Sequence, residues 1–153
     1  MTTGVISVAI VEDDRAMRDA LAALIGGTPG FHTVATFGSV EEALEGLVRA
    51  VPNLLLLDIN LPGVPGSQGV RCLRERYPTL QVVMLTVFAE EQRIFESFCN
   101  GACGYLLERT PPARLPEALR EADDGGSPMS PDIARKVVTT FQRRSLNRHR
   151  KRL

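Results

Sequence analysis

Carboxylate side chains stand directly after two apolar runs, and this placement could bring them into one small site. Asp58 ends the run 53–57, and the acidic cluster Glu12-Asp13-Asp14 ends the run 5–11. Short apolar runs are typical of strands buried on both faces of a parallel sheet. If the two strands are neighbours, their acidic ends crowd together. Because like charges at close range are costly unless a cation neutralises them, the sequence predicts a divalent-ion site with one carboxylate free to act as nucleophile.

The composition is that of one globular domain with a short appendage. The chain has 153 residues, and 44% of them are hydrophobic, which excludes a disordered chain and allows a sizeable core. No apolar run approaches the roughly 18 residues needed to cross a bilayer, and residues 1–4 do not resemble a signal peptide. We therefore expect a cytoplasmic protein that does not enter a membrane.

Cysteine and histidine usage argues against a zinc site. His32 and His149 have no His or Cys neighbours, and the three cysteines lack metal-type spacing. We expect the cysteines to be small core residues in a reducing compartment. They are Cys72, Cys99 and Cys103.

The net charge of zero conceals an uneven distribution along the chain. Up to Asp132 there are ten basic and 18 acidic residues, a net charge of −8, whereas eight basic residues and no acidic ones follow from Ile133 onward. The basic stretch 143–152 could be a linker, a nucleic-acid arm or a solvated segment. Its composition alone does not distinguish these alternatives.

Strand and helix patterns alternate along the chain. Runs rich in β-branched and apolar residues predict strands at 5–11, 31–37, 53–57, 80–86 and 103–107. Helical periodicity predicts helices that begin near residues 14, 39, 66, 90 and 110. Asp13 or Asp14 can cap the first, and Ser39 with Glu42 forms a capping box for the second.

Five strands alternating with five helices favour an α/β fold, a doubly wound parallel sheet with helices on both faces. Right-handed crossovers leave few topologies. A flavodoxin-like strand order, 2-1-3-4-5, places the first and third strands side by side. That order would join the acidic cluster 12–14 to Asp58.

A sixth helix is predicted from a cap at Ser130 to about Arg143. Its narrow apolar stripe must pack on the domain or on a second chain. The stripe consists of Ile133, Val137, Val138 and Phe141. We expect a domain at residues 1–126, and a linker helix with a basic tail at residues 127–153.

Four short segments lie in order at the predicted strand ends, and together they carry a family resemblance. They are Val11-Glu12-Asp13-Asp14, Leu57-Asp58-Ile59-Asn60-Leu61-Pro62-Gly63, Leu85-Thr86 and Gly104-Tyr105-Leu106-Leu107. The chain resembles the receiver domain of bacterial two-component response regulators, which has the CheY-like fold. More narrowly, it is similar to receivers of the LuxR/NarL type that precede a helix-turn-helix domain. The resemblance spans about residues 5–122.

The resemblance implies a phosphoacceptor rather than an enzyme. In such receivers the aspartate that matches Asp58 accepts a phosphoryl group from a sensor histidine kinase. The matches to the Mg²⁺ ligands are Glu12, Asp13, Asp58 and the backbone carbonyl of Asn60. Thr86 matches the hydroxyl that binds a phosphoryl oxygen, and Tyr105 matches the aromatic switch residue.

The resemblance also implies partners. They are the kinase, a second copy of the chain in a homodimer, and DNA through a C-terminal domain that lies outside these 153 residues.

Glu108 departs from the family pattern, because receivers carry lysine at this position. A glutamate adds negative charge to an anionic site and should disfavour a phosphoryl dianion. Arg109 should point to the opposite face of its strand, and it could compensate for Glu108 only if the strand ends earlier. A second hypothesis is therefore a pseudo-receiver, impaired in phosphorylation, that serves as a dimerisation or partner-binding module. A third, a flavodoxin-like enzyme or nucleotide binder, is disfavoured because no Gly-rich loop follows the first strand.

Overall fold

The structure is a computed structural model that describes residues 4–152. The strands are β1 (Ile6–Val11), β2 (Phe31–Phe37), β3 (Leu54–Leu57), β4 (Gln81–Thr86) and β5 (Gly104–Leu107). The helices are α1 (Arg15–Gly26), α2 (Val40–Gly46), α3 (Gly66–Arg76), α4 (Glu91–Cys99), α5 (Arg114–Asp123) and α6 (Pro131–Arg152), and a 3₁₀ turn at Leu47–Arg49 follows α2.

The five strands form one parallel sheet in the order β2-β1-β3-β4-β5, which confirms the predicted topology. Val11 at the end of β1 pairs with Leu57 at the end of β3, and Leu57 pairs with Met84 of β4. The carboxyl ends of the central strands therefore lie side by side. The residues that follow them share one edge of the sheet.

Each face of the sheet is covered by its own helices, so the fold is doubly wound as predicted. One core cluster joins the sheet to buried residues of α2, α3 and α4, such as Val40, Val70 and Ile94. The other joins it to α1 and α5 through residues such as Ile25 and Leu119. All four residues of β3 are buried, which explains its uninterrupted leucine sequence.

Capping side chains and a glycine explain where several helices begin or end. Asp14 is the N-cap of α1, where its carboxylate accepts a hydrogen bond from the Met17 N–H. Ser39 caps α2 in the same way, and the Glu42 carboxylate accepts a hydrogen bond from the Gly38 N–H. Gly101 follows α4 with φ of 116°, a conformation that glycine adopts without strain.

Two helix boundaries were predicted wrongly. Helix α5 begins at Arg114 rather than near Thr110, because the adjacent prolines, Pro111 and Pro112, keep this segment in a turn. Helix α6 does not end near Arg143 but continues to Arg152. The basic stretch contains no glycine or proline, and arginine and lysine favour helix.

The segment before α6 pairs with the outer edge of β5. The Tyr105 N–H donates to the Pro128 carbonyl at 2.9 Å, and the Ser130 N–H donates to the Tyr105 carbonyl at 3.2 Å. Met129 forms a parallel bridge with Tyr105. Helix α6 then packs on α4, with Ile133 fully buried. The apolar stripe packs only in part on the domain, since Phe141 is 71% exposed.

The cysteine prediction was wrong for two of the three residues. Cys72 and Cys99 are exposed and Cys103 is half-buried, because the first two lie on the outer surfaces of α3 and α4. All three are free thiols. Within residues 4–152, none of the helices combines the length and the apolar character that a bilayer crossing needs.

Candidate functional site

Three carboxylates meet at the carboxyl edge of the sheet. Glu12, Asp58 and Glu108 each place an oxygen within 4.8 Å of the others. Backbone pairing fixes their positions: the Asp58 N–H donates to the Val11 carbonyl at 3.1 Å, and the Glu108 N–H donates to the Thr86 carbonyl at 2.9 Å. The strand order thus gathers acidic groups that are distant in sequence.

Asp58 is buried at the centre of this cluster, with 8% of its surface exposed. One carboxylate oxygen accepts a 2.7 Å hydrogen bond from the Ile59 N–H. Burial raises the pKa of Asp58, and hydrogen bonds from the Thr86 hydroxyl and from the Ile59 and Asn60 N–H groups oppose this rise. The site therefore favours neutralisation of this carboxylate by a proton, a cation or a covalent substituent.

Glu12 and Glu108 add to the unfavourable charge. Glu12 is 5% exposed, and burial together with the Asp58 and Glu108 charges raises its pKa to about 7. Its carboxylate accepts a hydrogen bond from the Asp14 N–H at 3.1 Å, which opposes the rise. The pKa of Glu108 is raised by burial and then by the Asp58 and Asp14 charges.

The other predicted metal ligands lie at the margin of the cluster. Asp13 is exposed, and the three-carboxylate group contains Glu108 rather than Asp13. Asn60 is exposed two residues after Asp58. Their assignment as ligands stays a prediction. The role of Glu108 as a member of the cluster agrees with its expected position near Asp58.

The two predicted switch residues are both buried next to the site. Thr86 is the last residue of β4. Its hydroxyl oxygen accepts a hydrogen bond from the backbone N–H of Phe88, with 3.4 Å between nitrogen and oxygen. The ring of Tyr105 is fully buried, and its hydroxyl donates to the Phe88 carbonyl at 2.7 Å. Burial raises the pKa of Tyr105. Both side chains thus contact the loop between β4 and α4.

The all-oxygen donor set suits a hard divalent cation. Mg²⁺ binds through one or two carboxylates and several waters, and it accepts phosphoryl oxygens as further ligands. Glu12 and Asp58 are buried carboxylates that a cation would neutralise, so the residues present fit the metal.

The comparisons with known proteins agree with this geometry. Residues 8–120 match the response regulator receiver domain family. The chain belongs to this family. It is 29% identical over 138 residues to the transcriptional regulatory protein DegU of Brevibacillus brevis, which covers 90% of the chain and 58% of DegU. It is 31% identical over 137 residues to the transcriptional regulatory protein UhpA of Escherichia coli, covering 90% of the chain and 68% of UhpA.

Solved structures show the same fold. A two-component response regulator of the LuxR family from Aurantimonas sp. superimposes with a TM-score of 0.85 at 26% identity, covering 90% of this chain and 99% of that one. The isolated receiver domain of RcsB from Salmonella enterica, solved with the phosphomimetic BeF₃⁻, gives a TM-score of 0.79 at 18% identity and covers 87% and 99% of the two chains. The chain spans 58% of the length of DegU and 63% of that of the transcriptional regulatory protein LnrK of Bacillus subtilis.

Arg109 does not compensate for Glu108 in this receiver. It is exposed, and its guanidinium pairs with the Asp132 carboxylate at the start of α6. Strand β5 ends at Leu107, so Arg109 lies in the turn after the strand, and its pairing with Asp132 rather than strand alternation sets its direction. In the part of the chain that the structure describes, the three-carboxylate cluster therefore makes no salt bridge to a basic side chain.

Gly66 was not identified from the sequence, although it shapes the site. A Cβ at this first residue of α3 would lie 1.9 Å from the Asp58 carbonyl oxygen and 2.8 Å from the Ile59 Cα. The Gly66 N–H also donates to the Ile59 carbonyl at 2.9 Å. The only sequence signal was a glycine directly after Pro65, which is too common in turns to identify a site.

Proposed function

We propose that this receiver accepts a phosphoryl group on Asp58 from the phosphohistidine of a sensor kinase. A carboxylate oxygen of Asp58 forms the new bond to phosphorus as the bond to the histidine nitrogen breaks, giving an aspartyl phosphate. The observation that carries the proposal is the position of Asp58, buried between Glu12 and the Thr86 hydroxyl. The domain acts as phosphoacceptor and substrate rather than as an enzyme with a turnover of its own.

The chain's own residues would hold the reacting groups. Glu12, Asp13, Asp58 and the Asn60 carbonyl would hold Mg²⁺, which when bound offsets negative charge on the transferring phosphoryl group. The Thr86 hydroxyl would donate a hydrogen bond to a phosphoryl oxygen. Tyr105 would keep its ring inside the domain through its hydrogen bond to the Phe88 carbonyl.

A second candidate function, a pseudo-receiver, is supported by Glu108. Its carboxylate lies within 4.8 Å of those of Glu12 and Asp58, where the family carries a lysine. A phosphoryl dianion on Asp58 would meet this charge without a cationic side chain to offset it. In this alternative the fold persists and the domain serves in dimerisation or partner binding.

The output proposed for the whole protein is control of transcription in the cytoplasm. Several relatives are named as transcriptional regulators, and one solved structure of similar fold contains two dimers of RcsB bound to two parallel DNAs. We propose a homodimer that contacts DNA through a C-terminal domain, with residues 1–126 as receiver and 127–153 as linker helix and basic segment.

Incubation with Mg²⁺ and acetyl phosphate, followed by intact-mass measurement, tests the two candidates. The first predicts a phosphate-sized mass gain in the wild type that Asp58→Asn lacks. No gain in the wild type at any Mg²⁺ concentration, with a gain in Glu108→Lys, would instead support the pseudo-receiver. Glu45→Lys, at an exposed position, is the matched control for the charge change in Glu108→Lys.

A further inference from the structure

The backbones that carry the three clustered carboxylates are all fixed by the sheet. In each case the N–H of the residue donates to a carbonyl at the end of a neighbouring strand: Glu12 to β2 at 3.0 Å, Asp58 to β1 at 3.1 Å and Glu108 to β4 at 2.9 Å. Their carboxylates place oxygens within 4.8 Å of one another. The three groups are therefore positioned before any ligand binds, which lowers the entropy lost on binding.

These carboxylates face one another without a positive side chain to balance them. Glu12 and Asp58 are both more than nine-tenths buried. Arg18 donates to the backbone carbonyl of Glu12 at 3.0 Å rather than to its carboxylate, and within residues 4–152 no salt bridge reaches the cluster. Buried charges in proteins are ordinarily paired with an opposite charge or coordinate a metal ion. The cluster therefore favours a bound cation as the missing partner.

The glutamate at position 108 changes what this position can do for a cation. A lysine ammonium group has no lone pair to offer and repels a cation, whereas a carboxylate supplies one or two oxygen ligands. The exchange replaces one positive charge by one negative charge, so the charge of the site differs by two units from that of a receiver with lysine. Affinity for Ca²⁺ depends on the number of charged ligands. Glu108 should therefore strengthen cation binding.

The number and spacing of the carboxylates discriminate between hard cations. Mg²⁺ keeps several waters and ordinarily takes one or two carboxylates at about 2.0–2.1 Å, so two oxygens on one Mg²⁺ are at most about 4.2 Å apart. Ca²⁺ takes about six to eight oxygens at about 2.3–2.6 Å, so two of its ligands can lie about 5 Å apart. The three carboxylates, all within 4.8 Å of one another, can therefore bind one Ca²⁺ without movement of the backbone.

We propose that Glu108 is a direct ligand of the divalent cation and gives this site a preference for Ca²⁺ over Mg²⁺. The inference rests on the proposed function for Glu12 and Asp58 as ligands, and it does not require phosphoryl transfer. One bound ion joins the residues that follow β1, β3 and β5. A lysine at position 108 could not make the link to β5. The domain thereby responds to the concentration of Ca²⁺ as well as to a phosphodonor.

Isothermal titration calorimetry of the full chain at pH 8, with CaCl₂ and separately with MgCl₂, tests the preference. The expected result is one bound Ca²⁺ with a dissociation constant about tenfold below that of Mg²⁺. Glu108→Gln should weaken Ca²⁺ binding at least about tenfold, since loss of a group that only supports a ligand already costs this much, and should affect Mg²⁺ less. Equal binding of the two ions by the wild type, or no binding of either, overturns the proposal.

Glu108→Asp separates ligation from charge. This variant keeps the negative charge but shortens the side chain by one methylene group, which withdraws its oxygens from the cluster. It should lose nearly as much Ca²⁺ affinity as Glu108→Gln. Wild-type Ca²⁺ affinity in Glu108→Asp would show that position 108 acts only through its charge and overturns direct ligation. Glu45→Gln removes an equal charge at an exposed position and should bind Ca²⁺ as the wild type does.

Hydrogen exchange followed by mass spectrometry locates the ion and separates the inference from the proposed function. Ca²⁺ should slow exchange in residues 106–110 of the wild type but not of Glu108→Asp. If acetyl phosphate labels Asp58 and this protection is absent, the inference fails and the phosphoacceptor function stands. If Ca²⁺ protects the segment and Asp58 is never labelled in Mg²⁺, the phosphoacceptor function fails and the cation site stands.

Discussion

The hydroxyl of Tyr105 donates a 2.7 Å hydrogen bond to the backbone carbonyl of Phe88, linking the centre of β5 to the loop that leaves β4. The Tyr105 ring is fully buried and lies 6.2 Å from the Phe98 ring. This one side chain therefore connects three elements: the edge strand, the loop beside Asp58 and helix α4. Its hydrogen bond fixes the loop from the interior of the domain, whereas Lys136 of α6 binds the neighbouring Ala89 carbonyl from the other side of the loop.

Removal of the Tyr105 hydroxyl should loosen this loop. Tyr105→Phe leaves the Phe88 carbonyl without this partner, so we expect a loss of about 1 kcal/mol in unfolding free energy. Tyr77→Phe is a matched control, since the Tyr77 hydroxyl donates to the Leu44 carbonyl at the same 2.7 Å. Urea denaturation should show similar losses in both. Hydrogen exchange should accelerate at residues 86–90 in Tyr105→Phe alone, and acceleration in both variants would contradict the assigned role.

Stability should depend on pH through Glu12. Its pKa is raised from 4.5 to about 7 in the folded protein. The folded state then binds a proton more tightly than the unfolded chain, so this stabilisation is present below pH 4.5 and is lost as pH rises through 7. Without divalent cations, the loss between pH 5 and 8 should be on the order of 2 kcal/mol, since one pKa unit corresponds to about 1.4 kcal/mol.

The neutral variant Glu12→Gln isolates this effect. Denaturation midpoints of Glu12→Gln should match the wild type near pH 5 and exceed it near pH 8. Glu45→Gln, at an exposed position, should keep a constant offset from the wild type. Parallel profiles for the wild type and Glu12→Gln would show that Glu12 carries no raised pKa.

Removal of the Glu108 charge should stabilise the cation-free protein. Its carboxylate is half-buried beside Asp58, so Glu108→Gln relieves repulsion at pH 8. Solvent screens part of this repulsion, and we expect a gain of up to about 1 kcal/mol in denaturation experiments with EDTA. Mg²⁺ should narrow the difference between the two proteins, because the cation offsets the same charge. A less stable Glu108→Gln in EDTA would contradict the picture of a repulsive cluster.

A side chain at position 66 should damage both the fold and the site. In Gly66→Ala, the new methyl group would meet the Asp58 carbonyl oxygen at 1.9 Å, so α3 or the strand end must move. We expect a loss of about 2–3 kcal/mol, in the upper range for overpacked positions, together with weaker phosphorylation. Gly4→Ala, where no atom lies within 4 Å, is the control. Denaturation and intact mass measure the two effects, and a wild-type result in both would refute the close approach.

The sheet was predictable because local patterns and topology rules agreed. Alternating strand and helix signals, right-handed crossovers and caps at Asp14 and Ser39 left few arrangements. Errors fell where a local rule was applied without its context. Consecutive prolines delayed the start of α5, and a run of charge was mistaken for the end of α6. Neither error changed the order of the strands.

The site was predictable in its centre and not at its margin. Asp58 and Glu12 follow paired strands, so their meeting is a consequence of topology. The exposure of Asp13 and the contact of Lys136 with the Ala89 carbonyl depend on side-chain packing and on the path of α6. Sequence periodicity identifies an apolar face but not the helix that it meets.

Pairing of residues 128–130 with β5 makes the two margins of the sheet unequal. On the β5 side the chain's own backbone already uses the Tyr105 N–H and carbonyl. A strand from another molecule could pair with β5 only after residues 128–130 had been displaced from it. Strand β2, at the opposite margin, is the more accessible place for such growth, and a charged or proline substitution along it would be the rational means of suppressing aggregation.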